Sequence, residues 1–224
     1  MHSFAIIKLS YNKIRDNDIE GGICGTGFFI DEKTFLTAHH VFNSSQNIPN
    51  KGYTNCQYWI ASRTGEVFEI INPKIECHPN IDTTIIRFPT NITKNVIEMF
   101  KTLPSQNDKI YNHGYLPEMP KIDANWTSNG LIIKSINLNT VHSDGKGTVQ
   151  IIKKGSVNEN DVNLTNKTLI ITSYPGKVGM SGGALFNKDN KVIGLMSFGY
   201  PPDNPDKNYI GAVWINEILK EIKK

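Results

Sequence analysis

Twelve short runs rich in β-branched and aromatic residues, bounded by polar or glycine-rich turns, constrain this 224-residue chain more than any other feature. Five lie in the first hundred residues: "FAIIKLS" (4–10), "GTGFFID" (25–31), "TFLTA" (34–38), "EVFEII" (66–71) and "TTIIRF" (83–88). Seven follow: "KIYNHGY" (109–115), "GLIIKSI" (130–136), "GTVQII" (147–152), "KTLIITS" (167–173), "GALFN" (183–187), "KVIGLMSF" (191–198) and "YIGAV" (209–213). Many short strands at this spacing predict an all-β sandwich or barrel. Two segments read as helical. "NVIEMFK" (95–101) is short, whereas "INEILKEIKK" (215–224) sets Ile215, Ile218, Leu219 and Ile222 on one apolar stripe that must dock on something. The stretch 88–108, with its two prolines, reads as the connection between two β lobes, residues 1–100 and 101–224.

Bulk properties narrow the function classes. The chain is long enough to bury a substantial core, as one large or two small domains. A net charge of +3 is too small to argue for a nucleic acid or an anionic membrane as partner. The lysines of "KEIKK" suit a solvated helix end, where positive charge is favourable. No apolar stretch approaches the roughly 20 residues of a membrane helix. The start "MHSFAIIKLSYNK" lacks the pattern of a secretory signal. Cys24, Cys56 and Cys77 are odd in number and without metal-ligand spacing, so they read as free thiols of a cytoplasmic protein. No metal and no other cofactor is implied. Five N-x-S/T triplets, at Asn43, Asn91, Asn125, Asn163 and Asn166, are not read as glycosylation sites in so asparagine-rich a chain.

Three segments carry residue types suited to chemistry. In "GTGFFIDEKTFLTAHHVFN" (25–43) a strand pair ends on "TAHHV", placing His39 and His40 where a β run stops, and an imidazole can accept and return a proton near neutral pH. "ECHPNIDTTIIRF" (76–88) places Asp82 directly before an apolar strand, as a turn residue or as an acid held in low dielectric to accept an imidazole N–H. "PGKVGMSGGALFN" (175–187) surrounds Ser181 with glycines. Such a backbone can reach positive φ and turn neighbouring N–H groups toward one point, where they would stabilise a developing oxyanion. A serine hydroxyl needs a base to become a nucleophile, so this segment asks for a histidine from elsewhere in the chain.

In this order the three segments resemble the blocks of the chymotrypsin-like (trypsin-fold) serine peptidases, especially the bacterial cysteine-poor branch that includes HtrA-like enzymes. "FLTAHHV" is similar to that family's T-A-x-H block, "HPNIDTTIIRF" to its aspartate block and "GMSGGALF" to its G-x-S-G-G block. The likeness runs on through "KVIGLMSFG" and "YIGAVWINEIL", nearly the whole chain. The resemblance implies two six-stranded antiparallel β-barrels with the site in the crevice between them, and a C-terminal helix at about 215–223 packed against them. It implies Ser181 as nucleophile, His40 as base in preference to His39, Asp82 as the group orienting His40, and the Gly179 and Ser181 N–H groups as oxyanion hole. The substrate would be a protein or peptide, cleaved through an acyl-enzyme. The substrate pocket would involve Tyr174, Pro175, Gly176 and Lys177, the strand Ser197–Phe198–Gly199, and Gly211.

The chain also departs from that pattern. Met180 stands where proteolytically activated members carry an aspartate, and the cysteines that staple the histidine loop of secreted relatives are missing. Both departures suit an intracellular enzyme whose activity is set by ordering of the loop 175–180, through an activating protein partner. No aspartate falls near the expected pocket base, which argues against Arg or Lys at P1 and favours a small or medium apolar residue. His113, His142, Trp126 and Trp214 read as structural, and Gly114 as a backbone requirement. Two further readings stand beside the enzyme: a catalytically silent protease-fold binding or scaffolding module, and a protease effector domain working within a larger assembly.

Overall fold

The computed structural model describes residues 3–12, 19–42, 49–127, 130–159, 162–200 and 209–222. The Asn43 triplet, the helix residues 223–224 and the Trp126 side chain lie outside what is described.

Seven strands come from the first ninety residues: β1 (Phe4–Tyr11), β2 (Ile19–Asp31), β3 (Thr34–Thr37), β4 (Asn55–Ser62), β5 (Val67–Glu69), β6 (Lys74–His78) and β7 (Thr83–Arg87). They form one antiparallel sheet in the order β5-β4-β1-β2-β3-β7-β6. Then come β8 (Lys109–Tyr115), β9 (Lys121–Thr127), β10 (Gly130–Asn137), β11 (His142–Glu159), β12 (Val162–Pro175), β13 (Ala184–Asn187), β14 (Val192–Tyr200) and β15 (Tyr209–Trp214). Six of these close a barrel in the order β11-β12-β15-β14-β13-β8, while β9 and β10 pair, among the described residues, only with each other. Helix α1 (Ile215–Ile222) ends the described chain.

The expected pair of six-stranded barrels is therefore corrected on one side. The second half closes as expected, but the first is a seven-stranded open sheet. Closure would require β5 to bond β6, its neighbour in sequence. Between them, Asn72 sits at φ 45° and Pro73 has no N–H to donate, so the chain turns away before a ladder can form. The Ile70 N–H instead bonds back to the Tyr58 carbonyl at 2.9 Å, keeping β5 on β4.

Burial follows the pleat. Phe4, Phe29 and Phe35 meet edge to face, with ring centroids 5.1 Å apart for Phe4–Phe29 and 4.9 Å for Phe29–Phe35. Each such pair stabilises by about 0.5–1.5 kcal/mol beyond burial alone. The opposite face of β1, with Ala5, Ile7 and Leu9, is covered by Leu131, Ile133 and Ile136 of the β9–β10 hairpin. A hairpin from the second half thus seals a sheet from the first.

The expected short helix at 95–101 is absent. That segment is extended and staples the halves together. The Ile97 N–H bonds the Phe29 carbonyl at 3.0 Å, and the Phe100 N–H bonds the Val192 carbonyl at 2.8 Å. The C-terminal helix docks on its apolar stripe, burying Ile215, Ile218 and Leu219, while Lys220 Nζ lies 5.8 Å from the centre of the Trp214 ring. Cys24, Cys56 and Cys77 are free thiols. No helix among the described residues is long and apolar enough to cross a membrane.

Candidate active site

Strand β3 stops at Thr37 because the chain enters a single turn, in which the Val41 and Phe42 N–H groups bond the Ala38 carbonyl at 3.2 and 3.3 Å. Ala38, Val41 and Phe42 are buried, which leaves the two histidines to project from the turn. Asp82 follows a 3-10 turn over Pro79–Ile81. Its own N–H closes that turn on the Pro79 carbonyl at 3.1 Å, and it takes a left-handed conformation at φ 43° that aspartate tolerates. Ile81 and Thr83, both fully buried, anchor it on either side.

The Asp82 carboxylate is 1% exposed and must be compensated where it lies. His40 donates to it twice: the backbone N–H reaches Oδ1 at 3.0 Å, and ring Nδ1 lies 2.9 Å from Oδ2 and 3.1 Å from Oδ1. The Ser197 hydroxyl donates to Oδ2. An ionised carboxylate only accepts, so the neutral His40 ring carries its proton on Nδ1 and offers a lone pair at Nε2. His39 turns elsewhere, with Nδ1 3.4 Å from the Thr84 hydroxyl.

The Ser181 turn packs against the histidine turn. A Cβ on Gly182 would fall 2.8 Å from the Ala38 amide nitrogen, and one on Gly25 would fall between the Val41 methyls and the Ser181 carbonyl. Two glycines shape it. Gly179 sits at φ 92° with the Tyr115 carbonyl 1.9 Å from where a Cβ would stand, and Gly182 at φ 80° with the Thr26 carbonyl at 2.2 Å. Within the turn the Met180 N–H bonds the Lys177 carbonyl at 3.2 Å, and the Gly183 N–H bonds the Met180 carbonyl at 3.1 Å. Among the described residues the Gly179 and Ser181 amides have no protein acceptor. They are the donors that the turn leaves over.

The residues expected at the pocket divide by environment. Tyr174 is buried within the barrel, its hydroxyl 4.0 Å from Met196 Sδ, and burial pushes its phenol well above the ordinary range so that it stays neutral. Gly176 lies against Ile210, and the Phe198 ring lies across Gly211. Pro175, Lys177 and Gly199 are exposed. Ser197 is 1% exposed and spends its hydroxyl on Asp82. That bond and the contacts of Thr26 with the turn had no signal in the motif blocks beyond a hydroxyl residue between two glycines in "GTG".

A second imidazole–carboxylate group lies outside this site. His113 Nδ1 is 2.6 Å from Asp144 Oδ1 and His142 Nε2 is 2.9 Å from Oδ2. Burial raises the Asp144 pKa, but the two histidine hydrogen bonds outweigh it and hold the carboxyl below its ordinary value.

A β-sheet and a closed β-barrel, with an imidazole–carboxylate pair from the one packed against a glycine-lined serine turn from the other, mark a chymotrypsin-like serine endopeptidase. The chain belongs to the trypsin-like peptidase domain family, which matches residues 25–195. Among curated proteins there is no significant match. Similar solved structures include the Rv3671c protease from M. tuberculosis in its active form, at 16% identity and TM-score 0.61, covering 98% of this chain and 80% of that one. The serine endoprotease from Yersinia pestis is 16% identical with TM-score 0.60, covering 98% of this chain and 61% of that one. The HtrA-type protease AlgW, solved with a decapeptide, is 12% identical with TM-score 0.63, covering 99% of this chain and 62% of that one. At these identities the likeness is one of fold.

Proposed function

We propose that this chain hydrolyses peptide bonds through an acyl-enzyme, with Ser181 as nucleophile, His40 as general base and acid, and Asp82 as the group that orients and stabilises His40. The observation that carries the reading is the bond from His40 Nδ1 to the buried Asp82 carboxylate, which leaves Nε2 as an acceptor on the same turn that packs against Ser181. In this mechanism Nε2 takes the Ser181 proton as Oγ attacks the scissile carbonyl. The carbonyl oxygen, now negative, is received by the Gly179 and Ser181 amides. His40 returns the proton to the leaving amine, and water then cleaves the ester by the same route in reverse. No metal or cofactor enters any step.

An extended peptide is the proposed substrate, in keeping with the decapeptide bound to AlgW. The residues proposed for the pocket have apolar neighbours in Met196 and Ile210, and the Phe198 ring lies over Gly211. These features favour a small or medium apolar P1 residue. Activation by a protein partner is supported by Val178, an apolar side chain 76% exposed directly before Gly179. A partner covering Val178 would bear on the oxyanion turn.

A fluorophosphonate probe tests the reading. It labels the wild type at Ser181, and labelling is lost in Ser181→Ala and in His40→Ala. Labelling that survives His40→Ala unchanged would overturn the base assignment. A wild type that stays unlabelled with every partner it binds would favour the silent scaffold instead.

A further inference from the structure

We propose that Thr26 is a positioning residue for the oxyanion hole, an inference that rests on the peptidase reading above. Thr26 lies in β2, fully buried, between Gly25 and Gly27. It donates into the Ser181 turn twice. Its hydroxyl bonds the Gly179 carbonyl at 2.7 Å, across 153 residues of chain, and its backbone N–H bonds the Ser181 carbonyl at 2.8 Å. Its own carbonyl accepts from the Thr37 hydroxyl at 2.8 Å, and Thr37 is the last residue of β3, three before His40. One residue therefore ties the turn carrying the nucleophile to the strand that delivers the base.

The reason lies in how the two amides must be aimed. The Gly179 N–H belongs to the peptide plane 178–179 and the Ser181 N–H to the plane 180–181. Between them stands the plane 179–180, whose carbonyl is the one the Thr26 hydroxyl holds. If that plane rotates, the two donors no longer point at one oxygen. Glycine at φ 92° cannot hold the angle by itself, since it adopts positive and negative φ about equally well. Holding the carbonyls of Gly179 and Ser181 fixes both ends of the segment whose geometry the oxyanion needs. Gly182 gives the approach room, because a Cβ there would stand 2.2 Å from the Thr26 carbonyl and 2.3 Å from the Thr37 hydroxyl.

Thr26→Val keeps the shape and the backbone N–H but removes the hydroxyl, whereas Thr26→Ser keeps the donor. The full-length protein is assayed for the rate of fluorophosphonate labelling at Ser181 and for kcat and KM on p-nitrophenyl acetate, with circular dichroism as the check on folding. The expected result is a Thr26→Val protein, folded as the wild type, with labelling rate and kcat both lowered about 10–100-fold. That is short of the roughly 10²–10³ for outright loss of an oxyanion donor. KM stays within about threefold, and Thr26→Ser restores the labelling rate to within about threefold, since it keeps the donor. A folded Thr26→Val that labels as fast as a reactive wild type overturns the role of Thr26 alone. So does a loss that follows only the unfolded fraction, or one that Thr26→Ser does not repair. A wild type that stays unlabelled with every partner it binds overturns the peptidase reading, and this inference with it.

Discussion

Ser197 donates its hydroxyl to Oδ2 of Asp82, a residue 115 positions earlier in the chain, and both side chains are almost completely buried. The bond crosses from barrel to sheet. It gives the Asp82 carboxylate a third donor besides the two from His40. A hydrogen bond to a buried charge contributes about 1.5–3 kcal/mol.

Ser197→Ala removes that donor without adding bulk. The expected outcome is a fall of about 10–100-fold in kcat/KM, the kinetic equivalent of that energy. Asp82→Asn is the harsher change, because it forces the wrong tautomer on His40, and it should lower kcat by about 10⁴, as the same change does in trypsin-like enzymes. Steady-state kinetics on one ester substrate compares the two.

The adjacent histidines should separate cleanly. His40→Ala abolishes turnover to within the residual activity of a triad-less site, a loss of about 10³ or more. His39 meets the Thr84 hydroxyl at 3.4 Å, so His39→Ala should leave kcat within about threefold, with any effect falling on stability. Parallel measurement of kcat and thermal midpoint checks this.

Gly179→Ala places a Cβ where the Tyr115 carbonyl stands 1.9 Å away, at a φ of 92° that alanine rarely adopts. The turn has to move to relieve the clash, and the proposed oxyanion donor moves with it. A loss of about 10²–10³ in kcat is expected in a protein that remains folded, measured beside its circular dichroism spectrum.

On the outer strands Glu76 tests an electrostatic contribution. Lys74 Nζ lies 2.8 Å from it and Arg87 Nε 3.2 Å, and these hydrogen bonds, Lys74 first, hold its carboxyl below the ordinary value. A carboxyl with a depressed folded pKa stabilises the fold above its unfolded pKa and loses that contribution as the pH falls through the folded one. Glu76→Gln should therefore cost about 0.5–1 kcal/mol at pH 7, with the gap to wild type closing as the pH drops below about 4. Urea unfolding at pH 7 and pH 3 measures both ends.

Much of the fold was legible because short runs of β-branched and aromatic residues bounded by turns mark strands, including β1, β3 and β7, which are buried on both faces. The run at 109–115 coincides with β8, and the apolar stripe of 215–222 docks as α1. β4, β6 and β9 were missed. "NCQYWIAS" opens on polar residues, and "KIECH" and "KIDANWT" alternate polar and apolar side chains but lack the run of β-branched and aromatic residues that marks the other strands. The segment 95–101 misled because Val96, Ile97, Met99 and Phe100 fit a helical stripe as well as an extended chain pinned at Phe29 and Val192. Only the partners on either side decide between them. The motif blocks named the residues of the proposed triad, but Thr26 and the Ser197 hydroxyl lie outside what those blocks could assign.

By itself the sequence determined the all-β class, the closing helix and the residue types of the proposed chemistry, because local periodicity and the backbone freedom of glycine are written residue by residue. Only the tertiary structure decided that the first half stays an open sheet, that the Ser197 hydroxyl meets Asp82, and that Thr26 holds the turn of Ser181. Each of these depends on hydrogen bonds between groups far apart along the chain. Their directions exist only once the sheet and barrel have packed, and nothing in the local pattern of either partner encodes them.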